Sequence, residues 1–203
     1  EQGIPVEAAD AVMSKPVGIP KTGVFGLLDL IGIDLMPHLS KSLLSTLPDK
    51  DAYRDSFVDH AFLHSMIQDG FTGRKGKGGF YRLDTSDGKK EKQALSLHPD
   101  NFDLGQYSPA QKIDLDSIKA GKKGLRAVLE TDDEGGRFSK TVLLQTLAYA
   151  ASLVGEIAET VADIDEAMRL GYNWKQGPFE MIDALGADWF SSELKEAGID
   201  IPD

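Results

Sequence analysis

KTGVFGLLDLIGID (residues 21–34) and KQGPFEMIDALGAD (residues 175–188) stand 154 positions apart and share six identities in fourteen, with apolar residues at most of the other positions. A sequence that repeats itself at this level is read first as a duplicated unit, because the repeat decides how everything else is grouped. Tracing the match backwards needs one single-residue gap. Val6, Asp10 and Met13 then align with Val161, Asp165 and Met168. The second copy is preceded by a long apolar stretch, FSKTVLLQTLAYAASLVGEIAETV, and the first is not. This reading therefore expects the first copy to lack its opening helix, cut ahead of Glu1.

The bulk properties narrow the field. The chain has 203 residues, 41% of them apolar, which is enough for one large or two small cores. A formal net charge of −11 argues against a nucleic-acid footprint, which needs clustered Lys and Arg, and against an anionic membrane surface. No Cys is present, so disulfides and thiolate zinc sites are out. That fits a reducing compartment, and the expected location is cytoplasmic. No run approaches the ~18 apolar residues of a membrane span, and the first residues carry no signal-peptide pattern.

Along the chain the pattern is mostly helical. Short helices are expected over 6–13 and 23–31, separated by the Pro- and Gly-rich loop 15–22. Asp34 is placed to cap a helix reaching about residue 47, and 52–68 reads as a third helix ended by Gly70. Extended runs on either side of Asp87-Gly88 predict a β-hairpin. Residues 98–109 read as a polar linker. Helical character returns over 113–129, TDDEGGR (131–137) reads as a loop, and the longest, most apolar helix is expected over 139–159. Helices at 164–170, 177–185 and 188–197 close the chain. The domains implied are 1–83, a hairpin remainder and linker at 84–110, and 111–203.

The segment DIDEAMRLGYNWKQGPFEMIDALG (163–186) resembles the C-terminal domain of 3-hydroxyacyl-CoA dehydrogenases. That family shows acidic residues before an apolar residue and Met, then Gly, then Gly-Pro-Phe-Glu, Asp and Gly. Residues 6–32 match more loosely, with Val24 for the Pro and Gly26 for the Glu. GRKGKGGFYRL (73–83) is similar to the family segment that closes the first such domain. The resemblance implies a mainly α fold: two repeated helical domains of this C-terminal type with one β-hairpin between them. It implies that NAD and the catalytic His, Glu and Asn belong to a Rossmann-type domain and a helix start outside these residues. No catalytic, cofactor-binding or metal residue is then expected in this chain, and by itself it is expected to be inactive. It further implies an acyl-CoA substrate, an enoyl-CoA hydratase module in the same polypeptide and a possible homodimer, as in multifunctional β-oxidation enzymes. The substrate-facing residues it suggests are Thr22, Gly23, Val24, Phe25 and Leu27.

Each feature also has a plainer reading. Phe25 is matched by Phe179, so core packing is favoured for it. Asp29 and Asp183 occupy matching positions, which points to a structural hydrogen-bonding role for both. His60 and His64, four apart with Asp59 adjacent, offer half a metal site and are expected at the surface. A hydrolase built on them is the weakest alternative. Arg74, Lys75 and Lys77 form a basic knot that either closes the fold or meets a CoA phosphate. Trp174 and Trp189 are expected to pack, and 143–153 to form the core of the second repeat. The only Gly-rich run, GKGG (76–79), leads into a strand rather than a helix and fails the dinucleotide-binding context. The rival from another class is a free-standing helical interaction module.

Overall fold

The computed structural model describes residues 3–96 and 106–202. These divide into two compact units. One comprises Gly3–Glu7 with Val24–Lys112, and the other Ala8–Gly23 with Ile113–Asp203. The sequence reading groups Ala8–Gly23 with residues 1–83; by packing it goes with the C-terminal half, because Val12, Met13 and Val17 sit in the core of that unit beside Val128, Leu144 and Leu147.

Helix α1 (Val6–Val12) is followed by a 3-10 turn at Lys15–Val17, which Gly18 ends in the left-handed region. Helix α2 (Phe25–Ile31) and helix α3 (Leu35–Thr46) follow. Asp34 precedes α3 but makes no side-chain cap; its carboxylate takes Lys75 instead, at 2.7 Å. The expected helix over 52–68 is broken into α4 (Tyr53–Ser56) and α5 (Ala61–Gln68). The Asp51 carboxylate accepts the Tyr53 amide at 2.8 Å and starts the first piece. Extended backbone at Phe57 and His60 separates the second.

Strands β1 (Tyr81–Asp84) and β2 (Glu91–Leu95) form the expected antiparallel hairpin, Tyr81 opposite Ala94 and Asp84 opposite Glu91. A third strand, β3 (Tyr107–Pro109), pairs with β2, so the hairpin is part of a three-stranded sheet. This corrects the linker reading at its end. Residues 98–105 of that linker lie outside the described residues. The sheet unit is built on Val6, Ile33, Met66, Phe80 and Leu95, with Phe25, Leu28 and Tyr107 packed against them.

In the other unit the helical stretch 113–129 is two helices, α6 (Asp116–Ala120) and α7 (Leu125–Leu129), parted by Gly121 and Gly124. The longest helix, α8 (Glu134–Ser152), begins inside the expected loop 131–137 and ends seven residues early. Its start is set by Asp133, whose carboxylate accepts the amides of Gly136 at 2.7 Å and Ser117 at 2.9 Å. Two glycines in its first turn read as a loop in sequence, yet both are buried. Helix α9 (Val161–Tyr172) starts at a capping box in which Thr160 and Asp163 satisfy each other's amides. Helices α10 (Pro178–Leu185) and α11 (Ala187–Glu196) complete the unit, α10 packing on α7, α8, α9 and α11. Among the described residues no helix is long and apolar enough to cross a membrane.

Candidate functional site

Helix α2 has two faces of opposite character. Inward, Gly26 and Asp29 are buried, and the Phe25 ring meets Phe80 at 4.6 Å between centroids. The Asp29 carboxylate, 3% exposed, accepts the amides of Phe80 at 2.8 Å and Tyr81 at 2.7 Å. Its own carbonyl accepts the Arg74 amide at 2.9 Å. A Cβ at Gly79 would overlap that carboxylate, so glycine there is a packing requirement. Tyr107 completes the clamp: its hydroxyl donates to the Gly79 carbonyl at 2.6 Å, Arg82 lies 4.1 Å over its ring, and burial pushes its pKa up to about 12.

Outward, Val24, Leu27, Leu30 and Ile31 are 38–52% exposed, and Leu35 and Leu39 on α3 continue them at 47% and 49%. The spacing 24, 27, 31 is one helical face, and 35, 39 another. Helix α3 buries none of its twelve residues although five are Leu or Met. These side chains leave apolar surface uncovered on both helices. Sequence reasoning pointed to Val24 and Leu27 but not to Leu30, Ile31, Leu35 and Leu39; their helical spacing is visible in sequence, their lack of cover is not.

The five residues suggested as substrate-facing are divided between the two units. Thr22, half-buried, and Gly23, buried, belong to the C-terminal unit. Val24, Phe25 and Leu27 belong to the sheet unit, and Phe25 points into its core. A Cβ on Gly23 would overlap Asp10, as one on Gly177 would overlap Asp165. Asp165 is buried and accepts the amides of Phe179 at 2.7 Å and Glu180 at 3.2 Å. The matched pair Asp29 and Asp183 does not share a role: Asp29 is the buried clamp, whereas Asp183 is exposed on α10. In the C-terminal unit the buried carboxylate is Asp165.

The other candidates have local explanations. Lys75 pairs with Asp34, whose carboxyl this hydrogen bond holds below the usual range, and the Lys77 ammonium donates to the Asp69 carbonyl at 2.8 Å. His64 meets Asp59 at 2.5 Å and His60 precedes α5, both exposed. No cluster of three or more metal-ligating side chains occurs among the described residues. Trp189 lies between Arg126 and Lys140 at 5.2 and 5.9 Å. Trp174 and Trp189 are both half-buried against the C-terminal core. The Gly-rich turn does not fit a dinucleotide: the amides of Gly73, Arg74, Gly76, Lys77 and Gly79 are all taken by backbone carbonyls, and the Asp29 carboxylate lies beside it.

Two separate segments of the chain, 1–83 and 136–199, match the family described as 3-hydroxyacyl-CoA dehydrogenase, C-terminal domain. The chain belongs to the 3-hydroxyacyl-CoA dehydrogenase family. Among its relatives is a Rickettsia felis protein that carries the name of a fatty acid oxidation complex trifunctional enzyme, 40% identical over 192 residues. A similarly named Rickettsia prowazekii protein is 36% identical over 190 residues. A Bacillus subtilis protein that carries the name of a 3-hydroxyacyl-CoA dehydrogenase is 30% identical over 203 residues. These alignments cover 94–98% of this 3-hydroxyacyl-CoA dehydrogenase family chain, which spans 25% of each relative's length.

Proposed function

We propose that this chain is the helical C-terminal region of an NAD-dependent 3-hydroxyacyl-CoA dehydrogenase of cytoplasmic fatty-acid oxidation, and that the parent enzyme converts 3-hydroxyacyl-CoA to 3-oxoacyl-CoA. The observation that carries this reading is the match of one family's C-terminal domain to two segments of the chain. NAD and the reacting groups are assigned to the parent's dinucleotide-binding domain, since the Gly-rich turn at 73–79 has five of its amides bound to backbone carbonyls of its own fold. An enoyl-CoA hydratase module in the same polypeptide accords with the trifunctional name of two relatives.

The chain's own contribution is architectural. Two copies of one helical unit are fused. In each, an aspartate of one helix (Asp10, Asp165) lies against the glycine that precedes the next (Gly23, Gly177). Fusion lets the patch that a single-copy relative would use in an isologous dimer be satisfied within one polypeptide. The acyl-facing role stays with the loop 15–22 and its exit at Thr22 and Gly23, where the left-handed φ of +70° at Gly23 turns the backbone.

The test is reduction of acetoacetyl-CoA by NADH, followed at 340 nm, with the parent enzyme and with the 203-residue chain alone. Activity in the parent and none in the chain is the expected result. A parent without the activity, or a gene that encodes no dinucleotide-binding segment, overturns the proposal.

A further inference from the structure

The cations of the C-terminal unit sort into two sets. Lys119, Arg126, Arg137, Lys140 and Arg169 each have a carboxylate partner; Lys119, for one, meets Asp114 at 2.9 Å and Asp116 at 3.1 Å. Lys15, Lys21, Lys122, Lys123, Lys175 and Lys195 are all exposed and have no such partner among the described residues. Lys195 stands apart on α11, but the other five gather around one turn. The 3-10 turn that starts at Lys15 packs on α6 and α7. Pro16 approaches Gly121 so closely that a Cβ there would come within 2.7 Å of the Pro16 Cα, and Lys122 and Lys123 follow that glycine directly. On another side the Lys175 amide donates to the Gly18 carbonyl at 2.8 Å. Lys21 stands in the turn that the Gly23 amide closes on the Pro20 carbonyl at 3.2 Å. Three separate stretches thus bring unpaired lysines together in a chain whose net charge is −11.

We propose that Lys15, Lys21, Lys122, Lys123 and Lys175 attract and hold the phosphate groups at the nucleotide end of an acyl-CoA, while the loop they surround serves its acyl end. This rests on the acyl-CoA substrate and the acyl-facing loop of the reading above. Like charges gathered without partners repel, and an anion placed among them recovers that free energy. Lysine suits the phosphates of a flexible ligand, because its ammonium is a compact point charge on a mobile stem and demands no single geometry. The turn is also unobstructed: a Cβ at Gly124, beside Lys123, would meet only open space. The other basic cluster, in the sheet unit, is the poorer host, because Lys75 is taken by Asp34 and Lys77 by the Asp69 carbonyl. Nucleic acid is the poorer occupant, because its extended phosphate backbone would run from this turn across a chain with 33 acidic residues against 22 basic ones. An anionic bilayer meets the same repulsion.

The test titrates the 203-residue chain with CoA, dephospho-CoA, pantetheine and inorganic phosphate, followed through its backbone amide NMR shifts. Expected is saturable CoA binding with a Kd of about 1 mM or tighter. The shifts fall on residues 15–23, 121–124 and 175, and rising salt weakens them because exposed charges are screened. Dephospho-CoA binds more weakly and pantetheine does not bind. The double variant Lys122→Glu/Lys123→Glu abolishes CoA binding while leaving the melting temperature within about 1 °C, since both side chains are exposed. In the parent the same variant raises KM for acetoacetyl-CoA by about fivefold and KM for acetoacetyl-pantetheine far less, the split expected when binding is lost at the phosphates alone. No saturable shift, shifts centred elsewhere, pantetheine binding as well as CoA, or a double variant that keeps the binding each overturn the proposal. So does inorganic phosphate acting as strongly as CoA, which would mean attraction of any anion. Binding to phosphatidylglycerol vesicles in place of CoA also overturns it and makes a membrane surface the partner. Failure here leaves the dehydrogenase reading untouched, because acetoacetyl-CoA reduction by the unaltered parent measures that separately. A parent without dehydrogenase activity leaves the CoA titration standing.

Discussion

Helices α2 and α10 descend from matching stretches of sequence but live in different surroundings. In α10 the apolar face is sealed by α8 and α7, and the aspartate at the matched position faces water. In α2 the aspartate is sealed instead, and the apolar face is open. Two buried carboxylates underline the contrast. Asp165 accepts the amides of Phe179 and Glu180, at the start of the next helix and fourteen and fifteen residues away. Asp29 accepts those of Phe80 and Tyr81, fifty-one and fifty-two residues on, and so ties a helix to a sheet. The lesson is that a matched sequence position carries a chemistry, while the neighbour that chemistry meets is set elsewhere in the chain.

That contrast can be broken by substitution. The largest effect is expected at Met181→Ala, which empties a fully buried site and should cost about 2–5 kcal/mol in denaturant unfolding, against less than ~0.5 kcal/mol for Leu27→Ala. Equal costs would mean that the two faces are equally covered. Next comes Asp29→Ala, which strands two amides beneath the sheet at about 1–3 kcal/mol each, while Asp183→Ala on the exposed side of α10 should stay within ~0.5 kcal/mol.

Asp133 governs whether α8 starts where it can cover α10. Burial alone would raise its pKa, but the amides of Ser117 and Gly136 outweigh that and hold the carboxyl below its ordinary value of 3.8. A lowered folded pKa contributes stability that is present above the unfolded value and lost as pH falls through the folded one. Asp133→Ala should therefore cost about 1 kcal/mol at neutral pH and flatten the acid limb of a stability–pH profile below about pH 4. A variant with the parent's acid limb would remove this role.

The smallest effect belongs to Tyr107. Its folded pKa of about 12 lies above the ordinary 10.0, so its contribution is complete below pH 10 and disappears as pH rises towards 12. Tyr107→Phe should lose about 0.5–1.5 kcal/mol at neutral pH and this alkaline decline with it. Persistence of the full decline in the variant would assign it to another group.

Much of the fold was legible because its signals are local. The turn residues Asp87-Gly88 announced the β1–β2 hairpin, and the Gly-Pro-Phe-Glu start of α10 its first turn, where Glu180 accepts the Gly177 amide at 2.8 Å. Features that depend on distant partners were misread. Strand β3 exists because β2 offers an edge to pair with. Asp34 prefers Lys75 to the helix behind it, and Gly135-Gly136 are helical because Asp133 and a crowded neighbour, Ser117, fix them.

By itself the sequence determined that this is a mainly helical, acidic chain of the 3-hydroxyacyl-CoA dehydrogenase family, since periodicity, caps and turn residues act over a few positions. Only the tertiary structure decided that Ala8–Gly23 builds the core of the C-terminal half, that Asp29 and not Asp183 is buried, and that the apolar face of α2 lies open. The physical reason is that hydrophobic burial is non-directional: an apolar stripe states that a face seeks cover, and the rest of the chain decides whether it receives any.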